Sequence, residues 1–140
     1  MILRLTKQFD FQMAHALSGY DGKCHNLHGH NYRLLVTIEG EPIADAADAK
    51  NGMVMDFGDL RHIVTQRIID PFDHALVVPK GSPFEGIKET KIIVSDFQPT
   101  CENLLLHFAT LLQGQMPAGV ELHALRLYET ESSYAELIMN

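Results

Sequence analysis

Apolar and polar side chains alternate along the first fifteen residues of the chain, and the apolar positions are Leu3, Leu5, Phe9, Phe11 and Met13. A period of two predicts a half-buried strand, and His15 lies on its apolar face. A second strand is predicted from about His28 to Gly40, with its even positions on one face. Between them, Ser18–Asn26 is rich in Gly, Asp, Asn and Ser, and we expect a loop there.

The middle of the chain has the apolar spacing of two amphipathic helices. Asp56 can cap the first, which the pair Asp70-Pro71 should stop, and Thr100 can cap the second. Between these helices, Pro79–Pro99 is predicted to be irregular, except for a short strand at Ile92-Ile93-Val94.

Two further strands are predicted at the end of the chain, Val120–Thr130 and Ser133–Met139. The order strand-strand-helix-helix-strand-strand, without βαβ alternation, predicts an antiparallel α+β fold in one domain, residues 1–140. Such a sheet has two open edges unless another chain covers them, so we expect a homo-oligomer.

Composition and charge limit the function classes. Eleven Lys and Arg against eighteen Asp and Glu give a net charge of −7, which argues against a nucleic-acid partner. No apolar run approaches the roughly 18 residues that span a bilayer, so no membrane partner is expected. The N-terminal residues Met1-Ile2-Leu3-Arg4 contain no signal-peptide core, and two cysteines are too few for a disulfide framework. We therefore expect a cytoplasmic protein.

Histidines on two predicted strands suggest a metal site. His28 and His30 are two residues apart, so their imidazoles project from the same face. If the first two strands pair, His15 joins them, and three histidines with an open fourth position are typical of catalytic zinc. The alternative is a packed, hydrogen-bonded histidine pair. We expect surface or core roles for the remaining helix and strand histidines, His62, His107 and His123.

Four other positions are candidates for chemistry. Cys24 lies in a polar loop near the histidines, where a thiol can act as acid, base or nucleophile, or simply fill space. Asp73 can orient the adjacent His74 for proton transfer, although neighbours in sequence need not touch. Glu129 continues an apolar strand face, where it is either solvated at the strand end or pairs with a ligand edge that presents two N–H groups. Cys101, in the second helix, is expected to be a buried filler.

These motifs together resemble the 6-pyruvoyl-tetrahydropterin synthase superfamily, over nearly the whole chain. The resemblance rests on Phe11-x-x-Ala14-His15, Cys24-His25-Asn26-Leu27-His28-Gly29-His30-Asn31-Tyr32, Met55-Asp56-Phe57-Gly58-Asp59-Leu60, Asp73-His74, Pro99-Thr100-x-Glu102-Asn103 and Tyr128-Glu129-Thr130. Three residues separate the thiol from the first histidine of the pair. This spacing is most similar to that of the bacterial carboxy-pterin branch of the queuosine pathway. The animal synthases have a longer spacing, and the folate-salvage relatives replace the thiol with glutamate.

The resemblance implies a tunnelling fold, with a four-stranded antiparallel sheet, two helices on one face, and an oligomeric barrel with active sites between subunits. A hexamer, as two trimers, is the implied assembly. The implied zinc ligands are His15, His28 and His30. The implied catalytic residues are Cys24, Asp73 and His74, and the implied pterin-binding residues are Glu129, Thr100 and Glu102.

The implied reaction converts 7,8-dihydroneopterin triphosphate to 6-carboxy-5,6,7,8-tetrahydropterin with release of acetaldehyde and triphosphate. Alternatives are a 6-pyruvoyl synthase, which stops after triphosphate loss, a non-catalytic zinc-containing pterin-binding module, and a structural zinc fold with four protein ligands. The segment Val77–Gln98 is longer than in compact bacterial members and is a candidate lid or subunit contact. The triphosphate can be held by any of several cations, namely Lys23, Arg33, Lys80, Lys88 and Lys91.

Overall fold

Two long antiparallel strands form the centre of the sheet in a computed structural model of the protein, which describes residues 1–19 and 26–140. Strand β1 spans Leu3–His15 and strand β2 spans His28–Gly40, and they pair along their whole lengths. Both agree with the predicted strands. Most odd positions in the second half of β1 and the even positions from Tyr32 onward in β2 are buried, as a period of two requires.

Four shorter strands extend this pair into a six-stranded sheet of order β4-β3-β1-β2-β5-β6. These strands are β3 (Leu76–Pro79), β4 (Ile92–Ser95), β5 (Val120–Thr130) and β6 (Ser133–Ile138). Strands β5 and β6 were predicted, with the last strand one residue longer, and the short strand at Ile92 is confirmed.

Strands β1, β2, β5 and β6 pair antiparallel as predicted, but the sheet has six strands instead of four and is mixed. Strand β3 pairs in parallel with the end of β1, and β4 pairs in parallel with β3. Leu76, Val77 and Val78 are all buried, and so short an apolar run has no alternation that would distinguish a strand from a buried loop. The segment 77–98 thus contributes to two strands, with an irregular connection between them.

The first predicted helix is longer than the sequence indicated. Helix α1 (Phe57–Val64) begins after Asp56, whose carboxylate accepts the N–H of Gly58 at 2.6 Å. It continues through a π-helical turn, Thr65–Ile69, into the short helix α2 (Asp70–Phe72). The proline lies in the first turn of α2, directly after the π-helical turn, and the helical run does not stop at the predicted place.

Helix α3 (Cys101–Leu112) begins where it was predicted. The hydroxyl of Thr100 accepts the N–H of Asn103 at 3.1 Å, which is the hydrogen bond of a helix N-cap. No helix within residues 1–19 and 26–140 is long and apolar enough to cross a membrane.

The hydrophobic core lies between the helices and one face of the sheet. Phe108 of α3 is fully buried, and its ring makes edge contacts with Phe11 of β1 at 6.1 Å and Phe72 of α2 at 5.0 Å between centroids. Helices and sheet contribute to one continuous cluster, which places the helices on the same face of the sheet. Strands β4 and β6 are the edges of this sheet in the single chain, and the hexamer stays a prediction.

The core contact of Phe108 gives a stability prediction. Phe108→Ala should lower the free energy of unfolding by about 3–5 kcal/mol, because it removes a large buried ring and leaves a cavity. Thr110→Ala, at an exposed position of the same helix, should change it by no more than about 0.5 kcal/mol. Urea unfolding of both variants at one protein concentration measures the difference. Equal effects of the two substitutions would contradict this packing.

Candidate active site

Three histidines meet at the end of the central strand pair. The register places His15 directly opposite His28 and places Met13 opposite His30. One nitrogen from each of the three rings lies within 4.8 Å of the others. Three histidines at these distances are able to hold a metal ion, as the sequence predicted.

Backbone carbonyl groups orient two of these rings. The Nδ1 of His15 lies 2.8 Å from the carbonyl oxygen of Pro99, and the Nδ1 of His28 lies 2.7 Å from that of Asn26. A carbonyl oxygen only accepts hydrogen bonds, so each Nδ1 carries the ring proton. When these two rings are neutral, each Nε2 therefore presents a lone pair. Histidine metal ligands commonly have this tautomer, with one nitrogen free for the metal and the other donating to a carbonyl.

The arrangement of the Nε2 atoms fits a cation between them. The Nε2 atoms of His15 and His28 are 2.9 Å apart, so their two lone pairs repel each other unless a positive centre lies nearby. The Nε2 of His30 is buried, and it has no hydrogen-bond partner within residues 1–19 and 26–140. Burial lowers the pKa of both His15 and His30, which keeps these rings neutral and able to donate electron pairs at pH 7.

Glu129 lies beside this cluster. One oxygen of its carboxylate is 3.3 Å from the Nε2 of His30, and its side chain is 22% exposed. The pairing of β5 with β6 shifts register between Tyr128 and Thr130, so Glu129 lies at a bulge near the end of β5. A bulge changes the direction of a side chain at a strand end. The carboxylate therefore adds a negative charge close to three candidate metal ligands.

Asp73 and His74 form a hydrogen-bonded pair just before β3. The Nδ1 of His74 donates to a carboxylate oxygen of Asp73 at 2.9 Å, which leaves its Nε2 available for proton transfer. The same oxygen of Asp73 accepts the N–H of Gln12 at 3.0 Å, and that N–H is the main cause of the lowered pKa of Asp73. The predicted pair is thus in contact, and it is anchored to β1.

Two clefts connect these groups on the surface. A cleft of about 380 Å³ is lined by His30 of the three-histidine cluster and by His74 of the proton-transfer pair, among other residues. A neighbouring cleft of about 800 Å³ is lined by Asp73 and His74 together with Arg33 and Tyr128. His74 thus borders both, and its side chain is 72% exposed. The structure therefore offers small-molecule-sized space beside the proton-transfer pair and the candidate metal ligands.

Other predicted site residues have varied positions. The Thr100 hydroxyl is occupied as a helix cap, and Glu102 is exposed in the first turn of α3. Cys24 lies outside the described residues. Cys101 is buried, its thiol donates to the carbonyl of Leu127 at 3.3 Å, and burial raises its pKa to about 11, as expected for a filler.

The remaining described histidines lie elsewhere. His107 packs its ring against Phe72 and Phe97, at centroid distances of 5.9 and 5.1 Å. His123 lies at a bulge of β5, with Nδ1 3.4 Å from Glu39, and His62 is exposed on α1. Within residues 1–19 and 26–140, none of them joins the three-histidine group.

Sequence reasoning missed the backbone groups that orient the site. The carbonyls of Pro99 and Asn26 and both backbone polar groups of Gln12 are used in this way. Every residue has a backbone carbonyl, so residue type alone gives no signal for such a role. A detectable hint is the proximity in sequence of Asn26 to the HxH pair and of Pro99 to a helix cap.

Comparison with known proteins identifies relatives of this arrangement. A family model described as 6-pyruvoyl tetrahydropterin synthase matches residues 4–139. A Haemophilus influenzae protein named 6-carboxy-5,6,7,8-tetrahydropterin synthase is 36% identical over 142 residues, which cover 96% of this chain and 98% of its own. The human 6-pyruvoyl tetrahydrobiopterin synthase is 32% identical over 114 residues, which cover 80% of this chain and 68% of its own.

Solved structures share the fold. A Caenorhabditis elegans 6-pyruvoyl tetrahydropterin synthase superposes with a TM-score of 0.70 at 25% identity, covering 100% of this chain and 97% of the other. An uncharacterised protein of Wolinella succinogenes gives a TM-score of 0.79 at 22% identity, covering 100% and 99% of the two chains, and shows likeness of fold alone. The family match over nearly the whole chain and the likeness of fold lead to one conclusion: this chain belongs to the 6-pyruvoyl tetrahydropterin synthase family.

Proposed function

We propose that the protein is a zinc-dependent lyase that converts 7,8-dihydroneopterin triphosphate to 6-carboxy-5,6,7,8-tetrahydropterin, with release of acetaldehyde and triphosphate, in queuosine biosynthesis. The observation that carries the proposal is the three-histidine cluster with two rings oriented by backbone carbonyls. The relative named as a carboxy-pterin synthase, similar over 96% of this chain, supports the choice of product.

The Nε2 atoms of His15, His28 and His30 would hold Zn²⁺, and their number leaves a position for substrate oxygen. Bound there, the ion supplies Lewis acidity toward the side-chain hydroxyls of the substrate. The carbonyls of Pro99 and Asn26 keep the proton on Nδ1 of two rings, so the ligand nitrogens stay free of protons.

The proton transfers are assigned to His74, Asp73 and Cys24. Asp73 holds the proton on Nδ1 of His74, so that Nε2 can accept a proton from the substrate or return one to it. Cys24 would be a second acid or base, acting as thiolate at the ring carbon that bears the side chain. The substrate side chain is oxidised as the ring is reduced, so the reaction needs no redox cofactor.

Recognition of the pterin is assigned to Glu129, with Thr100 and Glu102 as further contacts. A carboxylate can accept two parallel hydrogen bonds from the guanidine-like edge of a pterin. Glu129 is only 22% exposed and lies 3.3 Å from His30, so a ring bound there would have its side chain next to the metal ligands. The proposed assembly is a cytoplasmic hexamer of two trimers.

Product analysis tests the proposed reaction. With Zn²⁺ and 7,8-dihydroneopterin triphosphate, the protein should release acetaldehyde and triphosphate in equal amounts, because side-chain cleavage follows phosphate loss. A coupled assay that reduces acetaldehyde measures the first product, and chromatography of the phosphates measures the second. Triphosphate without acetaldehyde would instead indicate a 6-pyruvoyl synthase, and substrate binding without any product would indicate a pterin-binding module.

Two substitutions separate chemistry from binding. Cys24→Ala should lower kcat by about 10²–10⁴-fold with little change in substrate affinity, because it removes an acid–base group. Glu129→Ala should weaken substrate binding by about 2–4 kcal/mol, somewhat more than one charged hydrogen bond contributes. Glu121→Ala, at an exposed position on the same strand, is the control and should change neither. Steady-state kinetics and calorimetric titration measure the effects. Full turnover in Cys24→Ala together with normal binding in Glu129→Ala would contradict the assignment.

A further inference from the structure

The turn that carries Asp73 and His74 has an unusual backbone conformation. His74 has φ of +62°, in the left-handed region, where the backbone of a residue other than glycine is strained. Hydrogen bonds hold the turn: the N–H of His74 donates to Gln12 at 2.6 Å, and that of Asp73 donates to Ile69 at 2.7 Å. The position of the imidazole therefore depends on contacts that stabilise an unfavourable conformation.

Lys91, immediately before β4, contacts the chain on both sides of His74. Its ammonium group donates to the carbonyl of Asp70 at 2.5 Å and to that of Asp73 at 3.1 Å. Its own carbonyl accepts the N–H of Leu76 at 2.8 Å. One residue from a distant part of the sequence thus fixes both the residue before His74 and a residue just after it.

The positive charge of Lys91 is placed where it stabilises the turn. Carbonyls in the last turn of a helix lack partners within the helix, and Asp70, the first residue of α2, and Asp73, its C-cap, lie in the last turn of the continuous helical run that begins with α1. A cation there is favourable because it complements the helix dipole. The charge also contributes, after the N–H of Gln12 and the neighbouring His74, to the lowered pKa of Asp73, which keeps this partner of His74 ionised.

We propose that Lys91 is a positioning residue for the proton-transfer pair: its ammonium group holds the backbone of the turn so that Asp73 keeps the His74 ring in place. The inference rests on the proposed function, in which His74 transfers protons. Two of the three ammonium hydrogens are committed to carbonyl oxygens, which favours this role over triphosphate binding, for which the sequence also made Lys91 a candidate.

Kinetics of three variants test the proposal in the acetaldehyde assay. Lys91→Met removes the charge and the donors at similar length and should lower kcat about tenfold, with KM changed less than about threefold, because binding is untouched. Lys91→Arg keeps the charge and the donors and should keep kcat within about threefold of the unchanged protein. Lys50→Met is the control and should change neither constant, since the ammonium group of Lys50 pairs with Asp59 of α1, away from the turn that carries His74.

A spectroscopic readout is independent of activity. In protein labelled with ¹⁵N-histidine, the ring signals of His74, assigned by their loss in His74→Gln, should report the tautomer protonated on Nδ1. They should move toward a mixture of tautomers in Lys91→Met and stay in place in Lys91→Arg and Lys50→Met. If Lys91→Met does not fold, Lys91→Gln, which keeps amide donors without the charge, should show the same displacement in part.

Each outcome decides the proposal. Unchanged His74 signals in a folded uncharged variant would overturn it, and so would a raised KM with unchanged kcat, which would mean that Lys91 binds the triphosphate. Absence of acetaldehyde from the unchanged protein would overturn the proposed function alone, because the His74 signals still test the positioning role.

Discussion

The register between β1 and β2 is the constraint on which the candidate site depends. It places His15 opposite His28 and brings His30 to the same face, so a slip of one residue would turn one strand's histidines away from the other's. The same slip would expose Tyr32 and Leu34, together with the other buried even positions of β2. Burying four such side chains is worth on the order of 10 kcal/mol, and a slip of the register would lose this stabilisation. The core therefore enforces the geometry of the cluster.

The remaining groups lie where regular elements end or become irregular. His74 lies in a left-handed turn between α2 and β3, and Glu129 lies at a register shift of β5. The carbonyl of Pro99, just before α3, orients His15. The regular strands are rigid, and residues at these irregular positions direct individual side chains and carbonyls toward one end of the sheet.

The sequence predicted the features whose signal lies in residues close together along the chain. Alternation along β1 and β2, the caps at Asp56 and Thr100, and the HxH pair are local patterns, and the structure has each of them. Strand β3 was missed because it has only four residues, of which three in a row are buried, so it shows no alternation. The ammonium group of Lys91 binds backbone carbonyls of the turn about twenty positions away in the chain. No pattern of residue types reveals a contact to backbone atoms. Local order was therefore predictable, and backbone-mediated contacts between distant segments were not.

The central claim is an open metal site made by three histidine nitrogens, and X-ray absorption at the zinc edge tests it most directly. The protein loaded with one equivalent of Zn²⁺ should show three imidazole nitrogens at about 2.0–2.1 Å and one light, non-protein ligand, with no sulfur. His28→Ala should reduce the imidazole count by one, whereas His62→Ala, at an exposed position of α1, should leave the spectrum unchanged. Four protein ligands, a sulfur at about 2.3 Å, or an unchanged spectrum in His28→Ala would contradict the account.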